Sequence, residues 1–146
     1  MHELFYCSFA VREMSDADIL DILKTSRKRN AEQDITGILV YMEKTRQFMQ
    51  ILEGEKNIIF DLYEDIKKDS RHKSLKLIYD GEVTDRGFSN WTMGFTNFDS
   101  IDKSKLEGFT PFLEQGFTDE LVNGHPSVAV NLFQAFKELL LKADIS

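Results

Sequence analysis

The sequence predicts an α+β domain: a mixed sheet with two helices on one face and C-terminal helices on the other. Three observations lead there. Five short stretches, residues 3–9, 35–41, 48–53, 75–79 and 91–95, read as strands whose side chains alternate between faces. The stretches after the first and third strands place apolar residues at helical spacing instead. Strands one and three are apolar on both faces, with Leu4 and Phe48 on one and Phe5, Cys7, Met49 and Ile51 on the other. Two helices on one side would leave the second face wet, so another part of the chain must cover it.

The elements follow in order. After the first strand, Ser15 stands as an N-cap with Asp18 three residues on, a capping-box arrangement. The helix it starts carries Ile19, Ile22 and Leu23 on one stripe, and the same stripe continues to Ser26 and Asn30. Its inward face therefore turns polar towards the C-terminal end. Residues 35–41 form the second strand, with Gly37 inside it, and residues 42–47 turn the chain into the third. Gly54 opens a second helix over residues 55–68, with Ile58, Ile59, Leu62 and Ile66 inward and Asp69, Arg71 and His72 at its polar end. Strands four and five follow, and the fifth has Trp91, Met93 and Phe95 on one face. The order βαββαβ plus one strand is the ferredoxin-like pattern with an extension. Right-handed crossovers put both helices on the same face.

The tail supplies the missing cover. Thr110-Pro111 and Thr118 read as helix starts, and Pro126 fits the first position of a last helix. That helix has an apolar stripe of Ala129, Leu132, Phe133, Phe136, Leu139 and Leu140. Residues 1–97 are read as the domain and 98–146 as a helical extension packed on its sheet.

Composition excludes several functions. The 146 residues carry a formal charge of −7, with no Lys/Arg block, which argues against direct nucleic-acid binding. No apolar run approaches the ~20 residues of a membrane span. Without a signal pattern at the N-terminus, the expected location is cytoplasmic. The single cysteine, Cys7, cannot form an internal disulfide. His2 and His125 have no partner at metal-ligand spacing, so no metal is expected. Neither a glycine-rich phosphate loop nor a serine elbow is present, and no enzyme activity is expected. Twelve phenylalanines exceed the needs of one small core and point to a homo-oligomer.

The informative anomaly is polar. Gln50 shares its strand face with Phe48 and Leu52, and Tyr6 shares its own with Leu4. A buried amide or phenol without a partner costs roughly 1–3 kcal/mol, so the two must meet each other or a polar ligand. With the polar helix ends they frame a slot. A planar group with an apolar body and polar edges suits it, its heteroatoms near Asn30 and Gln50.

Several motifs resemble the BLUF blue-light sensor domain. They are Ser26-Arg27-Lys28-Arg29-Asn30, Ile35-Thr36-Gly37, Phe48-Met49-Gln50-Ile51-Leu52-Glu53-Gly54, Asp69-Ser70-Arg71-His72 and Phe88-Ser89-Asn90-Trp91-Thr92-Met93. The resemblance spans about residues 3–97, with the motifs in order. It implies a non-covalently bound flavin, usually FAD with FMN or riboflavin as alternatives, lying between the two helices. Tyr6 and Gln50 match the family's photoactive pair. The implied flavin-binding set is Tyr6, Ile22, Ser26, Arg29, Asn30, Phe48, Gln50, Leu52, Ile66, Asp69, Arg71 and His72. Trp91 and Met93 match the signal-relay strand beside the glutamine. The sequence departs from the family pattern at three positions. Arg29 replaces a common asparagine, Asp34 a common glycine, and Asp65 an arginine that helps to hold phosphate in some members. Arg29, Lys67 and Arg71 are candidate substitutes for that phosphate contact.

The resulting expectation is a photoreceptor that performs no net chemistry and signals to a downstream protein. The residues alone leave open a ferredoxin-like regulatory module that binds another small planar ligand. A small hydrolase of this fold would need an anion-binding loop with a positioned water, which the sequence does not contain.

Overall fold

The computed structural model describes residues 1–43, 45–88, 94–97, 127–129, 131, 132 and 135. The elements are β1 (His2–Ala10), α1 (Asp16–Gln33), β2 (Thr36–Met42), β3 (Gln47–Gly54), α2 (Lys56–Lys67), β4 (His72–Glu82) and β5 (Gly94–Asn97). They form one sheet in the order β4-β1-β3-β2-β5. β1 runs antiparallel to both neighbours, β2 is antiparallel to β3, and β5 adds in parallel to β2. This is the expected mixed ferredoxin-like sheet with a fifth strand. The described part of β5 is Gly94–Asn97, and Trp91 and Met93, read on the same strand, lie outside the described residues.

Local chemistry accounts for the helix bounds. Ser15 Oγ accepts from Asp18 N at 3.1 Å, and the Asp18 carboxylate accepts from Ser15 N at 2.9 Å. This closes the capping box of α1. The helix ends where Asp34 turns left-handed, at φ 56°, and sends its N–H back to the Asn30 carbonyl. The buried residues of α1 are Ile19, Leu23, Ser26 and Asn30, the predicted apolar-to-polar stripe. In α2 they are Ile59, Leu62 and Tyr63.

The sheet separates two cores. On the helix side Leu4, Tyr6, Leu39, Tyr41, Phe48 and Leu52 pack against Ile19, Leu23, Ile59 and Leu62. On the other side Phe5, Cys7, Ile38, Val40, Met42, Met49 and Ile51 pack with Phe88 and Ala129, with Leu132 against their edge. Ala129 and Leu132 belong to the predicted stripe of the last helix, and both are helical here. The remaining positions of that stripe, and the starts expected near Thr110 and Thr118, lie outside the described residues. Gly37 permits a close approach of β2 to β3: a Cβ there would run into the Ile51 carbonyl of β3. Burial raises the Cys7 thiol to about 12, so it is a packing group and not a nucleophile. Among the described residues, no helix is long and apolar enough to cross a membrane.

Candidate functional site

A cleft enclosing about 570 Å³, part of it open to solvent, lies between α1 and α2 above the centre of the sheet. α1 contributes Ile22, Thr25, Ser26 and Arg29, the sheet contributes Tyr6, Leu39, Phe48 and Gln50, and Ile66, Asp69, Arg71 and His72 form the far wall. Ten of the twelve residues expected at the site line this cleft. Asn30 and Leu52 are fully buried beside it, Asn30 at the polar end of the α1 stripe and Leu52 in the helix-side core.

Register places the two polar anomalies together. Tyr6 of β1 and Gln50 of β3 are direct cross-strand partners, each 4% exposed. The phenol donates to Gln50 Oε1. Its pKa is pushed well above the ordinary tyrosine value, first by burial, with Arg29 opposing and Asp69 reinforcing the shift. Tyr6 therefore keeps its proton at neutral pH. An amide oxygen and NH2 lie on opposite sides, so Oε1 on Tyr6 leaves Nε2 as the donor facing elsewhere. The Tyr63 ring lies edge-on to Tyr6 at 5.9 Å, and Lys67 sits 4.7 Å over Tyr63.

The far wall is fixed by hydrogen bonds. His72 Nε2 meets the Ile66 carbonyl, and Nδ1 lies 2.8 Å from Ser8 Oγ. A carbonyl only accepts, so Nε2 carries a proton. Arg71 grips the Asp69 carboxylate through Nε at 3.0 Å and Nη2 at 2.6 Å. That bond is the largest cause holding Asp69 below the usual carboxylate range. Asp21, across the mouth on α1, approaches Arg71 at 3.9 Å. Arg29 differs, because its half-buried guanidinium is disfavoured first by desolvation. Its Nε is buried with no hydrogen-bond partner among the described residues.

Thr25 and Leu39 also line the cleft, although neither was expected. Both had a signal in the sequence. Thr25 stands at helical spacing between Ile22 and Arg29, and Leu39 lies two residues from Gly37 on the same strand face and pairs with Gln50. Tyr63, not named in the stripe read for α2, is four residues from Ile59 and 5% exposed.

These features suit a planar ligand with polar edges. Apolar walls of Ile22, Leu39, Phe48 and Ile66 accept a ring body, Gln50 and Ser26 offer polar edges, and Arg29 brings an unsatisfied buried donor to an anionic part. Fold and site together define a ferredoxin-like domain with a small-ligand cleft between its two helices. Comparison with known proteins makes this specific: residues 1–94 match the family described as BLUF, sensors of blue light using FAD, and the chain belongs to that family of flavin-binding blue-light sensors. Photoactivated adenylate cyclase subunit beta of Euglena gracilis is 37% identical over 91 residues, covering 62% of this chain and 10% of that protein. The chain thus spans about a tenth of the curated relatives it matches. Among solved structures, BlrB, a BLUF protein in its dark state, is 31% identical with a TM-score of 0.62, over 78% of this chain and 81% of that one. BlsA in its photo-activated state is 27% identical with a TM-score of 0.66, over 92% and 91%. The BLUF domain is a sensor and not a catalyst.

Proposed function

We propose that this chain is a blue-light receptor that holds FAD non-covalently in the cleft and switches through Tyr6 and Gln50. The observation that carries the reading is the buried bond from Tyr6 to Gln50 Oε1, directly beneath the opening between the helices. A bound oxidised flavin absorbs blue light and, once excited, is a strong one-electron acceptor. Tyr6 is the donor this chain offers. Losing an electron makes the phenol strongly acidic, and its proton already points at Gln50 Oε1. When electron and proton return, Tyr6 is restored and Gln50 is left rotated or in its other tautomer. Either change exchanges the donor and acceptor edges of the amide facing the cleft.

Arg29 is the candidate for the cofactor's negative charge. Arg71 is engaged by Asp69, and Lys67 is held by Glu64 at 3.0 Å. These pairings favour Arg29 as the replacement for the arginine that Asp65 displaces. The signal passes to a downstream protein or to an effector domain of the kind found in the longer relatives.

The test is spectroscopic. The purified protein should carry oxidised flavin and show a small, reversible red shift under blue light. Tyr6→Phe should keep the flavin and lose the shift. A protein that cannot be loaded with FAD, FMN or riboflavin overturns the proposal, and so does a wild-type shift in Tyr6→Phe.

A further inference from the structure

Two carboxylates lie inside the protein on the sheet face opposite the cleft. Glu3 of β1 and Glu53 of β3 are direct register partners, each 1% exposed. Strand alternation points both towards the Phe5, Met49 and Ile51 side. Like charges directly opposed on a sheet repel, and buried ones need donors. Glu53 has three: Oε1 accepts from Thr36 Oγ1 and from Phe88 N, both at 2.9 Å, and Oε2 from Gly87 N at 2.6 Å. The donor to Glu3 comes from the far end of the chain. Its Oε1 accepts from the backbone N–H of Ala129 at 3.1 Å, a separation of 126 residues. Glu3 Oε2 is buried with no hydrogen-bond partner among the described residues. Ala129 lies at the start of a helical segment, where Asn131 N bonds back to Ser127 O at 3.0 Å. The N–H groups of a first turn have no acceptor in their own helix and carry the positive end of its dipole. A strand side chain thus does the work of an N-cap for a helix that is distant in sequence.

We infer that Glu3 is the docking residue of the C-terminal segment, and that the Glu3–Glu53 pair passes the state of the two central strands to both segments leaving the sheet. The register explains how. Glu3↔Glu53 lies three register steps from Tyr6↔Gln50 on the same two strands, about 10 Å at strand rise. Glu53 clamps the 87–88 amides on the way to β5. Beside them Arg86 donates to the Asp34 carbonyl at 2.7 Å and to Thr36 Oγ1 at 2.8 Å. A shift of β1 against β3 when Gln50 changes partners therefore reaches both exits. The signalling half of this inference rests on the photoreceptor reading. The docking half does not.

The experiment uses the full chain with flavin bound. Amide exchange at Ala129 and across residues 127–132 is measured in the dark and under blue light, with absorption recorded on the same samples. Glu3→Ala removes the acceptor, and Glu3→Gln keeps an oxygen but removes the charge. Glu3→Ala should exchange about tenfold faster at Ala129 in the dark and should lose the light–dark difference seen in wild type, while the red shift stays. Glu3→Gln should fall between the two. Ala129 exchange equal to wild type in either variant overturns the docking role. A light–dark difference absent from wild type, or persisting in Glu3→Ala, overturns the relay. Loss of the red shift in wild type refutes the photoreceptor reading instead, and the dark comparison still decides the docking. If Glu3→Ala does not fold, Glu3→Gln decides alone.

Discussion

Removing the two ends of the Tyr6–Gln50 bond, separately and together, should give a strongly non-additive result. Both side chains are 4% exposed, so neither end can turn to bulk water when its partner is lost. Tyr6→Phe keeps the ring among its apolar neighbours but takes the donor from Gln50 Oε1. Gln50→Leu keeps the volume but takes the acceptor from a phenol that burial already holds protonated. Each should cost about 1–3 kcal/mol, the desolvation penalty of a stranded buried polar group. The double variant strands neither group. It puts a phenyl ring beside a leucine within the helix-side core of Leu4, Phe48 and Leu52, and its cost should fall to within about 1 kcal/mol of wild type. The coupling energy, the two single costs together less that of the double variant, is then at least about 1 kcal/mol and up to about 6. The assay is urea unfolding of all four proteins, once at a fixed excess of flavin and once after its removal. The two series are needed because a ligand at ~100 times its Kd adds about 2.7 kcal/mol on its own. Additivity within about 0.5 kcal/mol in both series refutes the claim that the two groups satisfy each other.

Three further outcomes are expected. Gly37→Ala meets backbone and not a flexible side chain, the Ile51 carbonyl. It should destabilise the fold by about 1–3 kcal/mol or more in urea unfolding, and unchanged stability would contradict the close approach of β2 and β3. Asp69 titrates below its ordinary 3.8 because Arg71 bonds its carboxylate. A depressed group stabilises the fold above its unfolded pKa, and that contribution is lost as pH falls through the folded value. Acid unfolding of Asp69→Asn should therefore decline less steeply below about pH 4 than that of wild type, whereas identical curves would remove this ion pair from the account. Ser15→Ala should cost about 1 kcal/mol through loss of the N-cap; a thermal midpoint equal to wild type would show that the α1 cap adds nothing.

What the sequence revealed, and what it did not, follows from how far each interaction reaches. Period-two alternation was enough to put Gln50 with Phe48 and Leu52, and Tyr6 with Leu4, on the cleft face. Periodicity of 3.6 residues found the α1 stripe from Ile19 to Asn30, because a helix face depends only on neighbours along the chain. The β1/β3 register that makes Tyr6 and Gln50 partners is a tertiary fact, and only the cost of burying two polar groups hinted at it. β4 was read as residues 75–79 but runs from His72 to Glu82. It is an edge strand whose ends carry charged residues, and Ser74 breaks its regularity with φ 55°. Alternation is weak in such a strand. Glu3 and Glu53 drew no notice, since glutamates are almost never fully buried unless paired. Their donors lie up to 126 residues away, beyond the reach of any local pattern.

The two-sided burial of β1 and β3 also sets what this receptor can transmit. A strand cannot move its cleft-side residues without moving the alternate ones, since both sets hang on one backbone with a period of two. Packed interiors pass such displacements on because they have few voids to absorb them. The stimulus is nevertheless small. Exchanging one or two hydrogen bonds at Gln50 is worth about 1 kcal/mol each, enough to move a two-state balance several-fold to tens-fold but not ~10⁴-fold. An output element fixed by many kcal/mol would not respond to it. The contact from Glu3 to Ala129 is of matching size, since a helix cap is worth about 1 kcal/mol. Beside it, the described part of the C-terminal segment adds only one small buried side chain, Ala129, and the partly buried Leu132 to the apolar cluster. A stimulus and a latch of similar strength, on the same pair of strands and on opposite faces, are what a weakly driven switch requires.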